Sequence, residues 1–502
     1  MLMVPDAETK SEHTMCMSCA SEAHCNTGWR SASLVLLGCL WVLLAGCAGL
    51  DRSVALHPGP SCSEDSDLMP QSSEALDASS AEESPQTLES LLQMALENNP
   101  ATREAWFAAK AGLAAYKGSL SEYYPHLAAA AQLRYRDTID RSVPSEYSGG
   151  EYGPAINLRW LLFDCGERKY RATAFLNALS SKDLLHKQAC QDLMLDVTVT
   201  YYNLYQAKAS LDASQAFLEN ARTAHGMAVD KAKMGIGREE DVLSALAGQE
   251  MALAETAKAA SSVETARAAL SRNIGRRVSP HLDIVPPTWP EKLDALSVEV
   301  AELTRQALHK RPALLNACAL AKEAEANVMS AKAKRWPTLS AGISDERIFS
   351  LDQESASDFE DLRVGLMLEW DIFDGFKRTY DVIQSQEKLN EAFERVKGEE
   401  LAAVSDVWSS YFEFDSTRAQ LVHNRAALAA QQQYYHMIAT GYETGLNSMM
   451  DLLTSQKDLF ALQLNLSKLE SDFGIALAKL AHSTGSVEAF APYDQGTPTK
   501  QR

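Results

Sequence analysis

Few of the side chains able to make or break bonds stand where chemistry would need them. The histidines of the main body, among them His186, His225, His423 and His436, are scattered along helical stretches as solvated surface positions. Beyond the first fifty residues there is no Gly-rich phosphate loop, no Gly-x-Ser-x-Gly elbow, no His-x-x-x-His and no Cys-x-x-Cys. Cys16-x-x-Cys19 with His24 and Cys25 has metal-ligand spacing, but it precedes an export signal. It reads as a discarded leader, or as residues upstream of the true start. No catalysis and no cofactor are therefore expected. What remains is electrostatic: Asp241 and Asp451 beside glycine-bearing turns, and Asp164 and Asp374 beside Gly166 and Gly375.

The elements that carry these residues are written twice. Ala95-Leu96 with Pro100-Ala101 returns as Ala307-Leu308 with Pro312-Ala313, and Tyr124-Pro125 returns as Trp336-Pro337. Trp160, Phe163-Asp164, Arg168 and Tyr170 return as Trp370, Phe373-Asp374, Arg378 and Tyr380, and Gly235 and Asp241 return as Gly445 and Asp451. The offset stays near 210 residues, as from Trp160 to Trp370, which marks a tandem duplication. Each copy predicts a helix, two strands and two long helices.

In the first copy the helix runs from Leu88 to Ser121, and alternation follows with Leu127, Ala129, Ala131, Leu133 and Tyr135 on one face. A polar loop, Asp137 to Gly153, leads to Ile156, Leu158, Trp160 and Leu162. The second copy has a strand from Thr338 to about Glu346, then Val364, Leu366, Leu368, Trp370 and Ile372 on one face. Such alternation suits a membrane barrel or a soluble sheet equally. Four strands cannot close a barrel of useful bore, so a pore needs several chains.

Gly166 to Met234 is almost free of helix breakers and would span about 100 Å at 1.5 Å per residue. Phe376 to Thr440 is its counterpart. Turns at Gly235-Ile236-Gly237 and at Gly441 to Gly445 lead into returning helices, Glu239 to Asn273 and Ser448 to Ser483. Helices this long and Ala-rich must pack in pairs. Cys165 and Cys190 on one helix would stand about 37 Å apart, so no disulfide framework is expected. Asp164 and Asp374 can accept from free amides where strand turns into helix, and Gly166 and Gly375 permit the backbone angles there.

The formal net charge is -20, from 67 acids against 47 bases, which argues against nucleic acid as a partner. The Ser/Pro/Asp/Glu-rich stretch from Ala48 carries much of the excess and reads as a solvated tether. Before it, Arg30 leads an apolar run from Ser31 to Leu50 that contains Leu44-Ala45-Gly46-Cys47. Basic flank, apolar stretch and small residues form a cleaved export signal, with an uncleaved membrane helix as the alternative. The cysteine at the cut resembles the lipobox of bacterial lipoproteins, which implies lipid on Cys47, with Cys39 as a second candidate. Ala48, rather than Asp, then agrees with sorting to an outer membrane. The expected organisation is a leader over 1–46, a lipidated tether over 47–86, a first repeat over 87–279, a connector over 280–297, a second repeat over 298–486 and a tail over 487–502.

From about Leu88 to Ser486 these motifs resemble the TolC-like outer-membrane efflux family, specifically its lipoprotein branch. The residues that carry the resemblance are Tyr124-Pro125 and Trp336-Pro337, the paired Trp-x-x-Phe-Asp, and the two glycine-to-Asp tips. The resemblance implies a mainly α fold with a β-barrel contribution. Four membrane strands per chain would join in a homotrimer as a twelve-stranded barrel, continued by an α-helical tunnel into the periplasm. It implies a passive exit duct, driven by an inner-membrane pump through a periplasmic adaptor, with outer-membrane lipid around it. Asp241 and Tyr442 match an Asp–Tyr hydrogen bond of the family's periplasmic lock, and Asp451 matches a ring of aspartates at the pore constriction. Asn447 stands where the lock has an arginine and Thr454 where a second aspartate ring would fall, so the lock should be differently wired and the constriction less negative.

A simpler reading makes Asp241 and Asp451 caps of the returning helices. Two other functions compete with the duct. A periplasmic adaptor would need one helical hairpin between soluble β-domains, and a coiled-coil scaffold leaves the alternating strands unexplained.

Overall fold

The computed structural model describes residues 85–138, 147–279, 282–288, 299–350 and 359–486. Cys47, Cys39, the export signal, nearly all of the tether, much of the connector and the tail lie outside them. Both repeats have the same order of elements. The first runs α1 (Leu88–Asn98), α2 (Pro100–Ser119), a 3-10 turn (Leu120–Tyr123), β1 (His126–Thr138), β2 (Tyr147–Phe163), α3 (Glu167–Lys233) and α4 (Glu239–Asn273). The second runs α5 (Val300–Lys310), α6 (Pro312–Ala333), β3 (Thr338–Ser350), β4 (Phe359–Glu369), α7 (Lys377–Thr444) and α8 (Met449–Thr484).

The helix expected unbroken from Leu88 to Ser121 is in fact two. Pro100 has no N–H to continue the ladder, and the Asn99 side chain accepts from the Ala101 N–H at 2.8 Å to start α2 afresh. Arg311-Pro312 makes the same break between α5 and α6. The long helices are continuous: α3 has 67 residues and α7 has 68, each about 100 Å of helix. α3 packs on α2 and α6 over one part of its length and on α4 and α8 over the rest. Alanines such as Ala221, Ala224 and Ala228 are buried along it, and their small side chains let neighbouring helices approach closely.

The four strands form one antiparallel sheet in the order β1-β2-β3-β4, which leaves β1 and β4 as open edges. Its strand limits differ from the expectation at three places. β2 begins at Tyr147, not after Gly153, because the main-chain ladder continues there, with Thr138 through Gln132 paired to Tyr147 through Gly153. β3 continues to Ser350, past Glu346, since its ladder with β2 reaches Glu151. β4 ends at Glu369, short of Trp370 and Ile372, because its partner β3 starts at Thr338, which is paired with Glu369.

The faces follow the alternation. Leu127, Leu133, Tyr135, Ile156, Val364, Leu366 and Leu368 are all exposed on one side, with Val364 72% exposed. The other side is tied by polar contacts: Arg134 Nε donates to Glu151 at 2.7 Å, Gln132 donates to Glu346, and Ser344 donates to Asn157 at 2.8 Å. Among the described residues no helix is long and apolar enough to cross a membrane.

A core of Leu91, Ala95, Val197, Tyr201, Leu204, Leu270 and Ile274 joins α1, α3 and α4. The connector is pinned to it: Gln86 pairs with Ile284, and the Tyr201 hydroxyl donates to the Val285 carbonyl at 2.6 Å. Burial pushes the Tyr201 phenol up to about 12, so it stays a donor.

Candidate functional site at the helical turns

Two kinds of turn hold the singled-out residues. At the first, strand passes into long helix. Asp164 Oδ2 accepts from the Arg168 N–H at 2.8 Å and from Arg168 Nε at 2.9 Å, and Asp164 Oδ1 accepts from the Gly166 N–H at 3.2 Å. The Arg168 guanidinium then donates back to the carbonyls of Leu161 at 2.7 Å, Glu122 at 3.0 Å and Leu162 at 3.3 Å. Strand end, 3-10 turn and helix start are thereby held by one buried ion pair. Asp374 and Arg378 repeat the device, with Arg378 Nε donating to Asp374 at 2.7 Å. Hydrogen bonds from the Arg378 main chain and side chain hold the Asp374 carboxyl below the usual carboxylate range.

The two copies place their glycine differently on one backbone. In the first, Cys165 (φ 52°) and Gly166 (φ 91°) are both left-handed; in the second, Gly375 (φ 67°) and Phe376 (φ 70°) are. Each turn thus spends glycine on one of two positions that favour it, and carries strain at the other. Arg168 and Arg378 had shown in the sequence as repeated letters, with nothing to assign them a role.

At the second kind of turn, the tips, α3 passes to α4 and α7 to α8. The main-chain pattern is duplicated. The carbonyl of Lys231 accepts from the N–H groups of Ile236 at 3.1 Å and Gly237 at 2.9 Å, and that of Gly441 accepts from Leu446 at 2.7 Å and Asn447 at 3.2 Å. Glycine sits on opposite partners of this contact. A Cβ on Gly237 would come within 2.8 Å of the Lys231 carbonyl carbon, and one on Gly441 within 2.3 Å of the Asn447 side-chain nitrogen. Gly441 is therefore inside α7, not in the turn as expected, and makes room for Asn447. Asn447 is folded into its own turn and donates to the Ile438 carbonyl at 3.3 Å.

Asp451 forms a capping box with Ser448. Its N–H donates to Ser448 Oγ at 3.2 Å, while its carboxylate accepts from the Ser448 hydroxyl at 2.7 Å and N–H at 3.0 Å. The hydroxyl bond first, then the N–H, hold the Asp451 carboxyl below its usual range. The Ser-x-x-Asp spacing was the available signal for this box. Asp241 stands in the first turn of α4 with Glu239 and Glu240, where the helix dipole favours acids, but without a side-chain cap. Tyr442 is 4% exposed, packed with Ala224, Ala228, Ala245, Met449 and Leu452. Burial, and then the Asp241 charge, raise its phenol above the usual range. Among the described residues no hydrogen bond joins Asp241 to Tyr442. Asp451 and Thr454 are exposed.

Nothing in the spacing pointed to Lys231, which donates to the Tyr442 main-chain carbonyl and lies 3.8 Å from the centre of its ring. Among the described residues no group of three or more His, Cys, Asp or Glu could hold a metal ion, and Cys165, Cys190 and Cys318 form no disulfide.

The sequence profile of one family, described as "Outer membrane efflux protein", matches residues 91–276 and 303–486, one block on each repeat. Protein CyaE of Bordetella pertussis is 27% identical over 381 residues, 73% of this chain and 77% of that relative. Outer membrane efflux protein BepC of Brucella suis is 24% identical, over 66% of this chain and 72% of its own length. In three dimensions the fold matches the outer membrane protein VceC of Vibrio cholerae with a TM-score of 0.71 at 18% identity, covering 80% of this chain and 96% of that one.

Proposed function

Because the chain belongs to the outer membrane efflux protein family, we propose that it is the outer-membrane channel subunit of a tripartite export system. In this reading it is a passive exit duct for substrates delivered by an inner-membrane pump through a periplasmic adaptor. The observation that carries the proposal is the open four-stranded sheet with one exposed apolar face, each of whose strand pairs leads into a helix about 100 Å long. Two free edges and too few strands for a useful bore call for further copies, and three chains supply twelve strands. The apolar face then meets lipid, while the face with Arg134, Glu151 and Glu346 lines water.

Cys47 carries lipid in the same reading and holds the tether in the outer membrane. Cys47→Ala should abolish labelling by a radioactive fatty acid; persistent labelling moves the anchor elsewhere. At the tip end, Asp451 contributes one of three carboxylates around the pore axis, and Asp241 with Tyr442 belongs to the lock. The test of the whole reading is negative-stain imaging of the detergent-solubilised protein, with current recorded across a planar bilayer. Three-fold particles with a barrel end, and a measurable conductance, are expected. Monomers or rods without a barrel end would overturn it and favour the adaptor or the scaffold.

A further inference from the structure

α3 and α7 end at equivalent points of the repeat, since Lys231 and Ala232 stand 210 residues before Gly441 and Tyr442. Both helices run from the sheet to the tips, so their dipoles bring partial negative charge to the same end, and the Tyr442 carbonyl accepts from the Gly445 N–H at 3.1 Å while keeping a second lone pair. α3 has Lys231 and Lys233 in its last turn, whereas α7 has no basic residue there. The deficit of one helix is met by the other: the Lys231 ammonium donates to the Tyr442 carbonyl in the last turn of α7 and rests over the Tyr442 ring.

The apolar contact around this link is thin on one side. The first hairpin offers Tyr442 the methyl groups of Ala224, Ala228 and Ala245, with Met227 and Val242 partly buried beside them. Methyl groups give little area and no fixed direction. A charge-assisted hydrogen bond supplies the direction. The Lys231 main chain is itself held, because the Ile236 and Gly237 N–H groups close on its carbonyl, an approach that only glycine permits at position 237.

We propose that Lys231 is the clasp between the two hairpin tips of one protomer, a positioning residue that sets how far the tip end of the duct opens. The proposal rests on the duct reading. It differs from the Asp241–Tyr442 pair, which would act through the phenol: Lys231 acts through the carbonyl and the ring face, both of which Tyr442→Phe retains.

The test compares full-length wild-type protein with Lys231→Met, Lys231→Arg and Tyr442→Phe, singly and with Lys231→Met added to Tyr442→Phe. Single-channel conductance in planar bilayers is read beside hydrogen exchange over 224–245 and 435–452, with 193–204 as an internal control of folding. Lys231→Met should raise conductance several-fold and speed exchange at both tips, leaving the control segment slow. Lys231→Arg should restore both, and Lys231→Met should add its effect undiminished to Tyr442→Phe. Tip exchange and conductance in Lys231→Met equal to wild type would overturn the clasp while leaving the duct intact. If no variant and not the wild type conducts, the duct reading falls, and unchanged tip exchange then rejects the link itself.

Discussion

Arg168 shows how much one side chain can hold when its partners lie on three elements. It is 7% exposed and Asp164 6%, so removing the guanidinium leaves a buried carboxylate without its counter-charge and takes a donor from three carbonyls. Breaking a buried ion pair in this way costs about 3–5 kcal/mol. Arg168→Ala should lower the stability to denaturant by about 3 kcal/mol. Arg378→Ala should cost less, because its pair with Asp374 is more open to water. The neighbouring left-handed residues act in the opposite sense: Cys165→Gly and Phe376→Gly each relieve a strain of about 1 kcal/mol and should raise the melting temperature. Asp451 has a pH dependence with a definite sign. Its folded pKa is depressed by Ser448, so the stability it contributes is present above the ordinary carboxylate pKa and is lost as pH falls through the folded value. The protection of amides near Ser448, taken relative to their intrinsic exchange rate at each pH, should therefore fall in acid, and Ser448→Ala should abolish that dependence.

The two tips are the same turn built with reciprocal glycines, and this symmetry is testable at the level of the element. In α7 the space above Gly441 is filled by the Asn447 side chain, with an added Cβ only 2.3 Å away. Gly441→Ala should destabilise the second tip by about 1–3 kcal/mol, the usual cost of overpacking. Asn447→Gly in the same chain should restore it, because it recreates the arrangement of the first tip. Faster exchange in the double variant than in Gly441→Ala would contradict the steric account. A similar close fit joins α3 to α8, where Gly474 faces the Tyr202 ring with 2.3 Å between that ring and an added Cβ. Burial raises the Tyr202 phenol above its usual range, as expected for a ring held inside a helical seam.

At the scale of the molecule, the sheet has two open edges, and assembly in the proposed trimer would decide what the acids at the tips do. A single chain gives Asp451 a capping role, and a three-fold axis would add a ring of charge. Asp451→Asn separates the two, since the amide oxygen can still accept from Ser448 while the charge is gone. Cation selectivity of the reconstituted channel should fall in this variant, and its melting temperature should drop no further than the wild type's does when Asp451 is protonated. Selectivity equal to wild type would leave Asp451 as a cap alone.

The duplication, the two long helical hairpins and the two strand pairs were legible in the residues, because periodicity and repeated turn signals are local properties of the chain. α4 begins and ends where the alternation of breakers and apolar residues placed it, at Glu239 and Asn273. The strand limits were not legible, since a ladder extends by main-chain pairing through Gly149, Gly150 and Gly153, whatever their side chains, and stops where the partner strand stops. Asp164, Gly166, Asp374 and Gly375 were singled out by their place at the strand-to-helix turns, and Asp241, Tyr442 and Asp451 by the family resemblance at the tips. Their partners were not: Arg168 acts across three elements and Lys231 reaches a carbonyl 211 residues away. Contacts of that kind depend on which helix ends come to lie side by side, and only the folded chain sets that.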